Sequence, residues 1–280
     1  MTNVCQYLET RGYRITTLPV DSFGLVSPQD LKNAITPETI LVSIMHANNE
    51  VGTVEPIHEL AEITHEVGAL FHTDAAQSVG KLPVDVNDLG VDLLSIAGHK
   101  LYAPKGVGAL YVRIGVMIEK ISFGAGQEKG LRPGTENVLE IAGLGEAAKQ
   151  ASQNLGKVIR HMQKHRDQLQ DGLFNALSPQ IIRLNGHPEK RLPNTLNVSF
   201  KNVAANILLK NMEGKLAASA GAACHADEVR ISSVIAAMGV PLEWAKGTIR
   251  LSVGRMTTSE EITRAVDIII NAVSPMVVDL

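Results

Sequence analysis

The stretch SIAGHKLYAPKG, residues 95–106, joins the end of an apolar segment to His99 and Lys100, and Pro104 and Gly106 follow. Charged side chains are rarely buried without a partner or a chemical task. A lysine at the end of a predicted buried strand is therefore a candidate for chemistry. The alternative is a solvated lysine in a surface loop that glycine and proline punctuate.

Around this stretch, the first half of the chain alternates strand-like with helix-like segments. Ser27 and Pro28 begin one predicted helix, and Gly68 ends another, IHELAEITHEVG. Apolar runs without strict alternation are typical of a mostly parallel sheet covered on both faces, so we predict an α/β fold. The predicted strands are residues 14–19, 40–45, 69–73, 91–96 and 107–112.

The second half has a different pattern. A long polar helix is predicted over about residues 140–176, followed by a strand near 195–200 and a helix near 231–238. The strand TIRLSVG and a last amphipathic helix complete the chain. We predict a large domain over residues 1–150 and a smaller α+β domain over residues 151–280 that carries a loop around Cys224.

Length and composition bound the class of protein. The chain has 280 residues, 45% of them hydrophobic, and a formal net charge of −3. No basic stripe predicts nucleic-acid binding, and no apolar run predicts a membrane span or a signal peptide. Two distant cysteines, Cys5 and Cys224, do not form a secreted disulfide framework. We expect a cytoplasmic protein without a metal site.

Polar residues follow the predicted strands. Asn49 lies in MHANNEVGT, Asp74 and Gln77 lie in HTDAAQS, and Thr135 lies in RPGTEN. In open α/β sheets, ligands bind at the carboxyl ends of the strands. Each residue has a plainer interpretation, because an Asp after a strand is commonly a helix N-cap and Asn-Asn is commonly a turn. Their shared location favours a ligand site.

Lys100 follows Asp74 by 26 residues, about one strand-helix-strand unit. A lysine amine forms a Schiff base with an aldehyde, and the ring nitrogen of pyridoxal phosphate needs a carboxylate partner. We therefore predict pyridoxal phosphate as cofactor, with Lys100 as its covalent partner and Asp74 at the ring nitrogen. Gln77 or Asn49 is suited to the phenolic oxygen, and His99 to the phosphate.

Cys224 lies in ASAGAACHADE, where small residues precede it and His225 follows. A cysteine in a mobile, partly exposed loop beside a histidine is suited to attack as a thiolate. The alternative is a buried cysteine that packs as a small hydrophobic residue. The polar residues after Cys224 favour the loop.

Six ordered motifs now identify a resemblance. The segments MHANNEVGT, HTDAAQSVGK, SIAGHKLYAPKGVGALYVR, RPGTENV, GAACHA and IRLSVGRMTT resemble the cysteine desulfurase and selenocysteine lyase family. The resemblance implies a pyridoxal-phosphate-dependent enzyme of the aspartate-aminotransferase-like fold that acts on L-cysteine or L-selenocysteine. It further implies a homodimer, a sulfur-acceptor protein and a role such as iron–sulfur cluster assembly.

The resemblance also implies residue roles. Thr135 would reach the phosphate of the neighbouring subunit, and Arg250 would bind the substrate carboxylate as a bidentate fork, with Asn49 beside the substrate. Cys224 would attack the substrate sulfur, form a persulfide and release alanine. The implied cofactor-binding set is Asn49, Asp74, Gln77, His99, Lys100 and Thr135.

Two departures from the family pattern affect the cofactor site. Ala97 stands where many desulfurases carry a serine that binds the phosphate. The resemblance also begins after the Gly/Thr phosphate loop and the ring-stacking histidine of the family. We therefore expect a chain that lacks the amino-terminal part of the pattern, as a fragment or as a natural short form. A catalytically inactive homologue that serves as a binding or dimer subunit is the rival hypothesis.

Overall fold

The computed structural model describes the backbone of residues 2–220, 222–225 and 228–277, and the side chains of residues 3–220 and 231–277. Two four-stranded sheets and a two-stranded ribbon organise this part of the chain. The helices are α1 Thr2–Thr10, α2 Pro28–Ala34, α3 Ile57–His65, α4 Val138–Ala176, α5 Ala205–Asn211, α6 Ser233–Ala237, α7 Leu242–Ala245 and α8 Ser259–Val273.

The first sheet has the strand order β1-β2-β3-β4. β1, β2 and β3 run parallel, and β4 is antiparallel to β3. The prediction of an α/β fold with a mostly parallel sheet is therefore confirmed. The strands are β1 Leu41–Ser43, β2 Leu70–Asp74, β3 Leu93–Ala97 and β4 Gly108–Val112.

The strand predicted at residues 14–19 is wrong. These residues form no strand and belong to neither sheet in the described chain. Threonine and isoleucine favour strands only where a ladder partner and a packing surface are present.

Helices cover one face of the first sheet. Phe71 and Leu94 are buried against Leu31 of α2 and Leu60 of α3 in one apolar cluster. Along β2, buried residues alternate with more accessible ones and the strand ends at exposed Asp74. The expectation of a sheet covered on both faces is therefore wrong for the described chain. The uncovered face carries the polar side chains of Ser43, His72 and Ser95.

The second sheet is antiparallel in every pair and has the order β5-β6-β10-β7. α4 and α8 pack together beside it, and their buried residues join those of β6 in one core. Every residue of β6 is buried, so this strand is the centre of that core. The strands are β5 Ile182–Asn185, β6 Thr195–Phe200, β7 Ser219–Ala220 and β10 Thr248–Ser252.

α4 is one continuous helix of 39 residues, begun by Asn137, whose side chain accepts from the Glu140 backbone N–H. The predicted domain boundary between residues 150 and 151 falls inside this helix. The division into two domains stays a prediction. None of the helices in the described ranges has both the length and the apolar character that a bilayer crossing requires.

Candidate active site

Lys100 lies in a single 3-10 turn, Gly98–Leu101, directly after β3. The turn begins at Gly98, where a Cβ atom would come within 2.7 Å of the Val107 carbonyl oxygen, so glycine is required. It ends at Tyr102, which adopts a left-handed conformation with φ of 70°. The turn leaves Lys100 half-buried at the carboxyl end of β3, where the sequence predicts it.

Asp74 is the last residue of β2 and pairs with Ser95 of β3 in the ladder. Its Oδ1 accepts the Ala76 backbone N–H at 2.8 Å, which closes a local turn and caps no helix of the described chain, so the plainer interpretation of Asp74 as an N-cap is wrong. The residue is exposed, and Oδ2 forms no hydrogen bond with any described residue. One carboxylate oxygen is therefore available to a ligand.

A buried lysine that sequence reasoning missed connects two of the predicted residues. Lys81 Nζ donates to the backbone carbonyl oxygens of Gln77 (3.1 Å) and Lys100 (3.2 Å). Burial, with the positive charge of Lys100 as a second cause, lowers the pKa of the Lys81 amine to about 8. The structure thus brings the Gln77 turn and the Lys100 turn together through a third side chain.

A second group missed by sequence reasoning is a polar row across the uncovered sheet face. The ring nitrogens of His72 form hydrogen bonds with the hydroxyls of Ser43 (2.8 Å) and Ser95 (3.0 Å). Burial lowers the pKa of His72, and the Asp74 carboxylate opposes that change. The signal available in the sequence was the spacing of two residues between His72 and Asp74, which puts both on one face of β2.

The loop after β1 connects the two sheets. Asn48 organises it, because its Oδ1 accepts the backbone N–H groups of Glu50 and Val51. Asn49 presents an exposed side chain, and its carbonyl oxygen accepts from Arg250 Nη1 of β10 at 2.7 Å. Arg250 Nη2 donates to Ser219 Oγ at 3.2 Å, whereas its buried Nε has no partner among the described residues.

The remaining predicted residues are less closely connected. His99 is exposed next to Lys100, and Ala97 is the half-buried last residue of β3. Thr135 is exposed in the segment before α4 and forms no hydrogen bond with the other candidate residues of the described chain. The structure therefore does not bring Thr135 into the group formed by the strand ends.

The backbone around Cys224 differs from the predicted loop. Ala222–His225 and Glu228–Ile231 form the antiparallel strands β8 and β9, with Cys224 opposite Val229. The predicted loop is therefore wrong for this backbone. The two segments form a short hairpin, because their backbones pair in an antiparallel ladder. The side chains of Cys224 and His225 lie outside the described residues.

The comparisons with known proteins give the family. The aminotransferase class-V family model matches residues 1–265. The chain belongs to the class-V aminotransferases. Cysteine desulfurase IscS from Methanosarcina thermophila is 46% identical over 268 residues, which are 95% of this chain and 66% of that protein. The chain therefore spans about two thirds of the length of such curated relatives.

Solved structures agree with this membership. A NifS-like protein is 37% identical to this class-V chain, with a TM-score of 0.88 over 96% of this chain and 70% of that one. A structure described as SspA in complex with cysteine is 35% identical, with a TM-score of 0.75 over 92% and 71% of the two chains. The aspartate-aminotransferase-like fold, in the cysteine desulfurase branch, is thus confirmed.

Pyridoxal phosphate is the cofactor of this family, and residues at the strand ends of this chain match the groups of its ring. The free Oδ2 of Asp74, the amide of Gln77 and the amine of Lys100 supply a carboxylate, an amide and a nucleophile at neighbouring strand ends. This donor set fits the pyridine ring. For the phosphate, His99 offers an exposed donor side chain two residues after Ala97. Among the described residues, no cluster of His, Cys, Asp and Glu side chains could hold a metal ion.

Proposed function

We propose that this chain is a pyridoxal-phosphate-dependent cysteine desulfurase. The observation that carries the proposal is the arrangement at the ends of β2 and β3. Asp74 pairs with Ser95 in the ladder, and Lys81 joins the Gln77 turn to the Lys100 turn that follows β3. A carboxylate and an amine on adjacent strand ends are the two groups that the cofactor ring requires.

The chain's own residues have distinct tasks. When bound, pyridoxal phosphate supplies an electron sink for the substrate. The Asp74 carboxylate favours the protonated form of the ring nitrogen, because a nearby negative charge stabilises a positive one. Gln77 and Asn49 can donate from their amides to the ring oxygen, and His99 can donate to the phosphate. Lys100 would hold the cofactor through Nζ, and the same amine, when free, would accept and donate protons.

Arg250 is assigned to the substrate carboxylate. Its guanidinium is oriented by the Asn49 carbonyl oxygen and by Ser219. A carboxylate satisfies such a donor with a charge-assisted hydrogen bond, and the planar fork fixes the orientation of the ligand. The hydrogen bond from Arg250 to the Asn49 carbonyl oxygen also connects substrate binding to the position of the Asn49 loop.

Cys224 is assigned to sulfur transfer. In the net reaction, the carbon–sulfur bond of L-cysteine breaks and a sulfur–sulfur bond forms on Cys224. One hydrogen passes to the β-carbon, so L-cysteine and a thiol become L-alanine and a persulfide. The thiolate is the attacking form. The thiol of a sulfur-acceptor protein then takes the outer sulfur as its own persulfide and leaves Cys224 as a thiol. An added dithiol instead releases that sulfur as sulfide and becomes a disulfide.

The relatives favour cysteine over selenocysteine as substrate, because they carry the name cysteine desulfurase and one structure is described as a complex with cysteine. Selenocysteine lyase remains the alternative, since both reactions break a carbon–chalcogen bond at the same position.

A cytoplasmic homodimer is part of the proposal. A group of exposed apolar side chains supports a partner surface on this chain. These are Ile114, Met117, Ile121, Phe123, Val138 and Leu139.

The test is alanine formation by this chain with saturating pyridoxal phosphate, L-cysteine and dithiothreitol. We expect alanine and sulfide in equal amounts from the wild-type chain and neither from Lys100→Ala. Lys105→Ala is the matched control, because Lys105 is exposed, lies four residues after Leu101, the last residue of the turn, and is outside the candidate group. Alanine formation from selenocysteine but not from cysteine would favour the lyase. No turnover of either substrate would favour the inactive homologue.

A further inference from the structure

The buried residue Lys81 lies outside the set of site residues that the sequence predicts. Its side chain is only 7% exposed, and its Nζ contacts two backbone oxygens from different loops, those of Gln77 and Lys100. We infer that Lys81 is a positioning residue that fixes the Lys100 turn against the Gln77 turn. The inference rests on the proposed function only for the role of Lys100, and the tie between the turns stands independently.

The chemistry of the ammonium group supports this role. A lysine has three N–H donors and no acceptor, so one Nζ can join several carbonyl oxygens at once. Hydrogen bonds from a charged donor are about twice as strong as neutral ones. Burial costs the charged form free energy, and the lowered pKa of Lys81 reflects that cost. An apolar side chain would fill this space without the cost, so a geometric task accounts for the lysine better than packing does.

The Lys100 turn needs such a tie. A 3-10 turn has poorer hydrogen-bond geometry than an α-helix and is held here by bonds from Tyr102 and Ala103 to the Gly98 carbonyl oxygen. The Lys100 carbonyl oxygen points to Lys81 instead of to another backbone group. Without Lys81, the Lys100 carbonyl oxygen loses its hydrogen-bond donor, and the backbone of the turn becomes more mobile. The Cα atom of Lys100, from which the side chain extends, would then vary in position.

The Gln77 turn is held by the same atom, Lys81 Nζ. Ser78 and Val79 donate backbone N–H groups to the Ala75 carbonyl oxygen, and Lys81 closes the turn by donating to Gln77. Asp74 precedes this turn directly. The single Nζ of Lys81 therefore relates the carboxylate side of the site to the amine side.

The test compares Lys81→Met with the wild-type chain, using backbone hydrogen exchange without cofactor. Met keeps the length and removes every donor. We expect exchange about tenfold faster in residues 75–82 and 98–103, the size of one lost hydrogen bond to a charged group. Exchange in residues 195–200 of the second sheet should not change. Lys105→Met, an exposed substitution, should leave all three segments unchanged.

A second readout follows covalent capture of pyridoxal phosphate on Lys100 by borohydride reduction and peptide mass. We expect the capture rate to fall about tenfold in Lys81→Met at saturating cofactor, in proportion to the exchange effect. Unchanged exchange and capture would overturn the inference, as would faster exchange spread equally over residues 195–200. If Lys81→Met does not fold, Lys81→Leu, which likewise removes every donor, is judged by the same criteria. A wild-type chain without capture on Lys100 would contradict the proposed function, while the exchange pattern would still decide the role of Lys81.

Discussion

Arg250 donates from Nη1 to the Asn49 carbonyl oxygen at 2.7 Å and so connects the second sheet to the loop after β1. Its ladder partner Asn197 makes the neighbouring contact, donating to the Glu50 carbonyl oxygen at 3.1 Å. Two consecutive carbonyl oxygens are thus held by side chains on adjacent strands. The group that would bind the substrate carboxylate also positions a loop of the cofactor side.

The first prediction concerns Arg250. Arg250→Lys should raise KM for L-cysteine at least about tenfold, because a lysine ammonium cannot reproduce the bidentate fork. The kcat should fall less than KM rises. Arg264→Lys on the exposed face of α8 is the matched control and should change neither constant. An unchanged KM in Arg250→Lys would remove Arg250 from the substrate site.

The second prediction separates the charge of Asp74 from its turn. Asp74→Asn retains an oxygen for the Ala76 N–H and removes the carboxylate charge. We expect retained cofactor binding and a kcat lowered at least about a hundredfold, the scale of a lost electrostatic contact in catalysis. Asp85→Asn is the control, because Asp85 Oδ1 accepts the Asn87 N–H in the same way. Wild-type turnover in Asp74→Asn would contradict the role.

The third prediction distinguishes the two cysteines. Cys224→Ala should abolish sulfide release from L-cysteine and the mass increase of one sulfur atom on the protein. Cys5→Ala should change neither, because Cys5 is a half-buried free cysteine of α1. Loss of cysteine turnover with retained selenocysteine turnover in Cys224→Ala would favour the lyase. Retention of both would show that Cys224 carries no sulfur.

The fourth prediction is a pH dependence of stability at Glu55. Burial raises the pKa of Glu55 to about 7, the Val26 backbone hydrogen bond opposes this, and Asp21 adds to it. The folded chain therefore holds a proton between pH 4.5 and 7 that the unfolded chain releases. The stability that Glu55 contributes is complete below about pH 4.5 and is lost as pH rises through 7.

Urea unfolding at pH 5 and pH 8 measures this effect. Glu55→Gln keeps an oxygen for the Val26 N–H, so its free energy of unfolding relative to wild type should rise by up to about 3 kcal/mol between the two pH values. Glu59→Gln, exposed on α3, should give the same difference at both. A Glu55→Gln difference that is independent of pH would show that Glu55 ionises normally.

Much of the fold could be predicted because local signals agree with the global arrangement. Ser27 does cap α2 through the N–H groups of Gln29 and Asp30, and the strand ends do carry the polar clusters. The role of Lys81 could not be predicted, since a lysine in a turn has the same local signature whether it is solvated or buried. The Arg250–Asn49 contact depends on a separation of 201 residues, which no local pattern reports.

The uncovered sheet face and the hairpin at Cys224 were missed for related reasons. Burial of a face depends on which elements pack against it, and an apolar run predicts only that a cover is favourable. Small residues such as those before Cys224 permit loops and strands alike. In both cases, long-range packing and pairing decide among conformations that the local sequence allows.

Covalent capture of pyridoxal phosphate tests the assignment of Lys100 most directly. The chain is incubated with the cofactor, reduced with borohydride, digested and mapped by peptide mass. The position of Lys100 after β3, beside the strand end of Asp74, predicts one adduct on Lys100, and Lys100→Ala should abolish it. An adduct on another lysine that persists in Lys100→Ala, or a wild-type chain without an adduct at saturating cofactor, would contradict it.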